Sequence, residues 1–365
     1  MRQSELKQET EQWDVLDDEE TIAAQTASVQ RVMVTHDSHL GGLRLDKALA
    51  ELLQGPSRSR IAQWIDAGCV KLNGQVAKAR DKVAYGDAID VDQPFEVRDQ
   101  ALQPEHMPLD IVYEDASILV LNKPAGLVVH PAPGHWSGTL VNGLLAYDNS
   151  LSFLPRAGIV HRLDADTTGL MVVARTLPAH ASLVAQLQAR SVHREYWALV
   201  YGHVADQGII EASIARDRRN RLRFRTSKSL TAAGAKEACT LFRCVARTQL
   251  GRLKLSWLAV KLRTGRTHQI RVHMESVGHP LVGDRLYALH RPALEAQLGA
   301  RIAEFGRQAL HAARLGLVHP QTQAPIAWSA LPPPDMGTLM GELGFDVPRS
   351  VQSFFQDRGS MEDVS

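Results

Sequence analysis

Cysteine is scarce. The chain of 365 residues has three, Cys69, Cys239 and Cys244. No two stand in a CxxC pair, which excludes a disulfide scaffold and the usual thiolate zinc spacings. Aromatic residues make up only 5%. No run of 18 apolar residues occurs, so no membrane span is expected. The opening stretch MRQSELKQETEQWDVLDDEE lacks the apolar segment of a secretory leader, so a reducing cytoplasm is the expected location. GxGxxG, GxxxxGK[ST], GxSxG and HExxH are all missing, which removes the commonest dinucleotide, P-loop, serine-hydrolase and zinc-protease readings. His268 and His273 are five apart and are not a helical ligand pair. His130, His135, His161 and His311 read as packing or hydrogen-bonding residues. No cofactor and no metal is expected.

What is present is ordinary for a globular chain: 44% hydrophobic and 22% charged residues. The length suits two units plus tails. The formal net charge of +1 conceals a division. Residues 1–30 carry eight acids and two bases, so the other 335 residues carry +7. The acidic head reads as a disordered tail. The densest basic stretch, Arg216–Lys228, holds six arginines and one lysine against one aspartate. It reads either as a solvated loop or as a phosphate-contacting segment.

Residues 31–92 read as a small α/β unit. Leu45, Leu49 and Leu52 recur at helical spacing, and Ser57 is a good N-cap for a second helix with Ile61, Trp64 and Ile65 on one face. Asn73-Gly74 is a hairpin turn signal, with a closing strand expected at Asp87–Val91. Arg58, Arg60, Lys71, Lys78, Arg80 and Lys82 give this unit a basic face that suits a phosphate backbone. Residues 93–109, with Pro94, Pro104 and Pro108, read as linker, and 336–365 as a loosely held polar tail. Residues 110–335 alternate short β-rich runs with few helices, which points to an α+β domain on a mixed, mainly antiparallel sheet.

Within that domain, GIVHRLDADTTGLMVVAR (Gly158–Arg175) reads as a strand delivering Asp164 to a turn, followed by a second strand. A carboxylate held beside arginines stays ionised in a closed pocket and serves as nucleophile or base. From spacing alone, a turn-capping aspartate with Arg162 in a surface pair is the favoured reading.

Several motifs carry a family resemblance. HRLDADTTGLMVVAR resembles the signature of the RluA-type family of RNA pseudouridine synthases. NKPAGLVVHP (Asn122–Pro131), HREYWALVYG (His193–Gly202), RTGRTHQIRVHMESVGHPLVGDRLY (Arg263–Tyr287) and RQALHAARLGLVHP (Arg307–Pro320) resemble the family's other motifs, in the family's order. The pattern RLDKALA…SRSRIAQWI resembles the S4-like RNA-binding domain. The fold implied is a pseudouridine synthase catalytic domain preceded by a small S4-like domain. The resemblance implies Asp164 as catalytic aspartate, Tyr196 as the tyrosine that stacks on the base, and Arg271 as the cation paired with the aspartate. It implies Ile270 as a wall of the base pocket and Arg162 as the arginine that enters the stack when the target base leaves it. Lys123, Arg266, His268 and Gln269 would contact RNA or support the site.

The segments RAGIVHRLD and SRSRI further resemble the family's subgroup D, which implies large-subunit ribosomal RNA or a pre-ribosomal particle as partner, with the helix 69 stem-loop as target. Thr168, where many relatives carry serine, suits that subgroup. A monomer is the expectation, although no residue pattern bears on oligomeric state. Three alternatives stand beside this reading: a non-catalytic RNA-binding assembly factor, a nucleoside-bond hydrolase using a carboxylate pair and water, and the same chemistry at other ribosomal RNA sites.

Overall fold

The computed structural model describes residues 29–33, 40–52, 58–66, 68–92, 103–131, 135–217, 219–220, 222–227, 234–288, 296–347, 349–355 and 362–363. The acidic head before Val29 and part of the arginine-rich stretch (Arg218, Arg221, Lys228) lie outside the described residues. The chain divides into two compact units at Gln103–Pro104, within the span expected as linker.

The N-terminal unit contains β1 (Val29–Met33), α1 (Leu45–Leu52), α2 (Arg58–Asp66), β2 (Val70–Leu72), β3 (Gln75–Val76) and β4 (Ala88–Asp92). β1 starts inside the segment expected as tail and pairs antiparallel with β4. The four strands run in the order β1-β4-β2-β3. Asn73 and Gly74 both have positive φ, 52° and 79°, as the tight β2–β3 turn requires. The Asn73 side chain secures this turn by donating to the Asp87 carboxylate and accepting from the Ala88 N–H. The apolar faces of α1 and α2 meet the sheet in one core containing Leu45, Leu49, Ile61, Trp64, Ile65, Ile89 and Val91. Lys71, Lys78, Arg80 and Lys82 are exposed. Arg58 and Arg60 lie in α2, with side chains outside the described residues.

The second unit is organised around one large mixed sheet. Its main strands are β5 (Ile111–Glu114), β6 (Ile118–Lys123), β7 (Thr168–Ala174), β8 (His193–Tyr201), β9 (Gln207–Glu211), β12 (Cys239–Leu250), β13 (Leu253–Leu262) and β14 (Leu310–Val318). They lie in the order β5-β6-β7-β14-β8-β13-β12-β9, and β15 (Pro325–Ser329) pairs with β14. The β7–β14 pair is parallel and the others on this path are antiparallel. A smaller hairpin, β10 (Ser213–Arg216) with β11 (Phe224–Ser227), carries the arginine-rich stretch.

The helices of this unit are α3 (Leu140–Tyr147), α4 (Leu177–Gln188), α5 (Gln269–Ser276), α6 (Ala296–Phe305) and α7 (Pro334–Glu342). β7 and β8 are almost wholly buried, which explains why they read as continuous apolar runs rather than alternating ones.

Two expectations need correction. Gly158–Asp164 is not a regular strand; it makes a single bridge, Ile159 to Val173. A glycine at 158, with φ +80°, lets that segment lie against the Ala174 carbonyl, where a Cβ would collide. Residues 336–345 are not a loose tail either. Met336, Leu339, Met340, Leu343 and Phe345 join the core around Trp197 and Trp257, whose rings meet edge-on at 4.9 Å. Among the described residues, no helix is long and apolar enough to cross a membrane.

Candidate active site

The site forms where three chain segments meet above the middle of the sheet. The first is the loop Asp164–Thr167 leading into β7, closed by the Thr167 N–H donating to the Asp164 carbonyl at 3.0 Å. Its exit is set by Gly169, whose φ of +115° lets the parallel β7–β14 pair come close. The second segment is β8, where Tyr196 lies between Ala312 of β14 and Val260 of β13. A register shift at Ala312–Arg314 falls directly opposite Tyr196 and Glu195; such bulges re-aim side chains beside sites. The third is the turn before α5. Here Gln269 is buried and accepts from Thr264 Oγ1 and the Arg266 N–H, while its amide donates to the Cys239 carbonyl and Thr240 Oγ1. That knot closes the loop and starts the helix at His268, which adopts a left-handed φ of 55°.

These segments surround a cleft of about 790 Å³. Arg162, Asp164, Tyr196, Arg266, His268, Gln269, Ile270 and Arg271 all line it. Six arginines and one lysine face two carboxylates, Asp164 and Glu237, around its wall. That imbalance favours an anionic ligand.

Arg271 Nη1 donates to Asp164 Oδ2 at 2.9 Å, and His268 Nε2 lies 3.9 Å from the same oxygen. Both approaches fall on Oδ2, and the Asp164 side chain remains 20% exposed to the cleft. Burial pushes the Asp164 carboxyl up, but the charges of His268, Arg271 and Arg162 outweigh it and hold the group below its ordinary value. The imidazole contributes only when protonated. Burial holds His268 itself below its usual range, so near neutrality Arg271 is the principal cation. Burial raises the Tyr196 phenol above its ordinary value, and the neighbouring Asp164 charge adds to the effect.

Lys123 stands apart from the expected set. It is fully buried and does not line the cleft. Its ammonium donates to the carbonyls of Pro124, Leu127 and Ala165 at 2.8, 2.9 and 2.6 Å. An ammonium spends its three protons this way, so Lys123 supports the Asp164 loop from beneath. Burial lowers it to about 7. Gln269, likewise, spends its amide inside the protein.

Four participants escaped the sequence reading. Arg307 donates through Nη1 to the Asp166 carbonyl at 3.2 Å while its other nitrogens hold Asp335. Gln308 donates to Thr167 Oγ1 at 3.1 Å. Tyr287 shares a 2.9 Å hydrogen bond with His268 Nδ1 and accepts from the Phe224 N–H, which ties the arginine-bearing hairpin to the site. Asp284, with no exposed surface, accepts from Arg271 Nε at 2.7 Å and Nη2 at 3.0 Å. All four lie inside quoted motifs, but no local spacing marks them, because their partners are distant in sequence. His311 fulfils its expected packing role, hydrogen-bonding Thr168 Oγ1 and the Ala330 carbonyl. Among the described residues, no group of His, Cys, Asp and Glu side chains is arranged to hold a metal.

Comparison with known proteins agrees with this architecture. Residues 117–276 match the family model described as RNA pseudouridylate synthase, and residues 43–89 match the S4 domain. The chain is 44% identical over 351 residues to ribosomal large subunit pseudouridine synthase D of Neisseria meningitidis serogroup A, covering 95% of this chain and 92% of that one. It is 46% identical over 310 residues to the protein of the same name from Pseudomonas aeruginosa, covering 84% and 94%. Among solved structures, human RNA pseudouridylate synthase domain containing 1 aligns with a TM-score of 0.50 and 25% identity, over 72% of this chain and 94% of that one. An S4 unit, a mixed sheet and a motif-borne aspartate on an arginine, joined to identity of this extent, place the chain in the RluA-type family of RNA pseudouridine synthases.

Proposed function

We propose that the protein isomerises uridines to pseudouridine in large-subunit ribosomal RNA, within the helix 69 stem-loop, with Asp164 as the catalytic residue. The reaction breaks the bond between uracil N1 and ribose C1′ and forms one between C5 and C1′. The C5 proton is lost and N1 gains one, so atoms and electrons balance without an outside reagent. One observation carries the reading: the Asp164 carboxylate meets Arg271 at 2.9 Å on the wall of a cation-lined cleft that also contains Tyr196.

The roles follow from the chemistry of each group. An ionised Asp164, with Oδ1 outside the Arg271 contact, is suited to attack C1′ or to remove the 2′ proton and leave a glycal. Tyr196 holds its proton at neutral pH, which supports stacking on the base in preference to action as a phenolate. Ile270, 4% exposed, supplies apolar wall beside it. Arg162 is exposed at the rim, where a planar guanidinium fills the gap left when the target nucleotide leaves its stack. Single-stranded loops suit such extrusion. The exposed lysines and Arg80 of the N-terminal unit add phosphate contacts, which position RNA rather than specify a base. Names of the bacterial relatives support the ribosomal substrate.

The test is Asp164→Asn, assayed by tritium release from [5-³H]uridine-labelled transcript and by carbodiimide mapping of ribosomal RNA. Product should be lost while RNA affinity stays within about twofold, since the substitution leaves the phosphate contacts untouched. Substantial residual turnover would overturn the assignment, and free uracil as product would establish a hydrolase instead.

A further inference from the structure

Arg271 faces two carboxylates, and the division of its nitrogens is unequal. Asp284 takes Nε and Nη2, and Asp164 receives only Nη1. A guanidinium presents a planar fork that suits bidentate capture of a carboxylate. Asp284 fixes how the guanidinium is turned; without it, Arg271 would be free to swing a two-donor edge toward Asp164 and occupy both of its oxygens.

Asp284 is built to prevent that. Its Oδ1 also accepts from the N–H groups of Leu286 and Tyr287, at 2.9 and 3.0 Å, so the carboxylate cannot rotate away without breaking two backbone bonds. The Arg271 guanidinium lies over the Tyr287 ring, 5.0 Å from its centroid, which limits movement out of plane. Just before Asp284, Gly283 adopts φ +76°, where a Cβ would collide with the Arg307 carbonyl. Arg307 in turn donates to the Asp166 carbonyl of the catalytic loop. The Asp284 turn and the Asp164 loop are therefore referenced to the same residue.

We infer that Asp284 is a positioning residue that holds the Arg271 fork in a single-bond contact with Asp164, so that the other carboxylate oxygen stays available to the substrate. This rests on the reading of Asp164 as the catalytic residue and deepens it.

The discriminating variant is Asp284→Asn. Its Oδ1 still accepts from Leu286 and Tyr287, whereas its amide presents hydrogens to Arg271 Nε and releases the fork. Single-turnover tritium release should fall about 100-fold, in line with ångström-scale misplacement of a catalytic group. RNA affinity, measured by filter binding, should stay within twofold. In an Arg271→Lys background, which has no fork to release, the same substitution should have under a threefold effect. A residue that merely capped the turn would give the same loss in both backgrounds, because effects without shared partners add. An undiminished rate in Asp284→Asn, or equal losses in both backgrounds, overturns the inference. Should Asp284→Asn lose its cooperative melt, Asp284→Glu replaces it; it keeps the charge but displaces the fork, and it carries the same expectation and the same refutation. Wild-type protein on the same transcript tests the underlying reading separately: no pseudouridine there sinks the reading, whereas a working wild type beside an unaffected variant sinks only the role of Asp284.

Discussion

Gly169→Ala is the most informative single perturbation of the scaffold. Gly169 has φ +115° and pairs with Ala312 across the parallel β7–β14 contact, which consists of only two residue pairs. A Cβ there would strike the Ala312 carbonyl oxygen and lie 2.5 Å from its nitrogen and 2.7 Å from its carbonyl carbon. Those are backbone atoms and cannot rotate aside. The strands would have to separate by about 1 Å to restore ordinary contact. Backbone strain of an alanine at this φ adds on the order of 1–3 kcal/mol, and loosening the pair brings the expected loss to roughly 2–4 kcal/mol. Gly126→Ala is the matched control. It also has positive φ, +81°, but nothing lies within 4 Å of its would-be Cβ, so only about 1 kcal/mol is at stake. Urea denaturation of both variants, with single-turnover rates, separates strain from collision. Asp164 lies five residues before Gly169, and an ångström of displacement would cost about 100-fold in rate. Equal stability of the two variants, or full activity in Gly169→Ala, would refute the claim that this close approach sets the Asp164 loop.

Other outcomes follow from the same geometry. Arg307→Ala should lower the single-turnover rate by about tenfold at unchanged RNA affinity, because it frees the Asp166 carbonyl; a loss confined to affinity would contradict this. Because burial is outweighed by the neighbouring cations and Asp164 is held below its ordinary value, its ionised form persists as pH falls from neutral through the imidazole range, and the rate should be flat there and decline only below the ordinary carboxylate range; an acid limb in the imidazole range would identify another group as essential. The stability linked to that ionised carboxylate has the same sign, present above the unfolded-state value and lost in acid, and denaturation midpoints against pH measure it. Deleting residues 31–92 should weaken RNA binding and flatten its salt dependence more than it slows chemistry; unchanged affinity would dismiss the basic face as an RNA contact.

Much of the fold was legible because its elements are local. Asn73-Gly74, the leucine spacing of α1 and the apolar runs of β7, β8 and β13 each declare themselves within ten residues. So did the family motifs, and eight of the nine expected catalytic and substrate-contacting residues line one cleft. What stayed hidden was non-local. Lys123 was open between contacting RNA and supporting the site, because the three carbonyls that hold it inside, one of them 42 residues away, leave no local mark. The tail expectation after residue 335 failed for a related reason. Met336, Leu339 and Met340 sit among polar and glycine residues and bury only because the sheet offers a face for them. Asp284 lacked any marker, since an aspartate after glycine reads as a turn wherever it occurs.

The distribution of charge around Asp164 explains why so many cations gather at one short loop. A loop entering the middle of a sheet turns its carbonyls inward, and buried carbonyls need donors. Lys123 and Arg307 supply donors to the carbonyls of Ala165 and Asp166, and Gln308 donates to the Thr167 hydroxyl. These three come from motifs at opposite ends of the domain. Their joint effect leaves the Asp164 backbone held from behind while its side chain is restrained in front by the Arg271 hydrogen bond, with His268 3.9 Å from the same oxygen. A carboxylate fixed on both sides by strong contacts would be structurally stable but chemically occupied. Placing the firm contacts on the backbone, and a single hydrogen bond on the carboxylate, reconciles a rigid loop with an oxygen left open for the chemistry proposed for Asp164. The motifs flanking HRLD therefore owe their spacing in part to the carbonyls of residues 165 and 166 and to the Thr167 hydroxyl, and not only to the RNA.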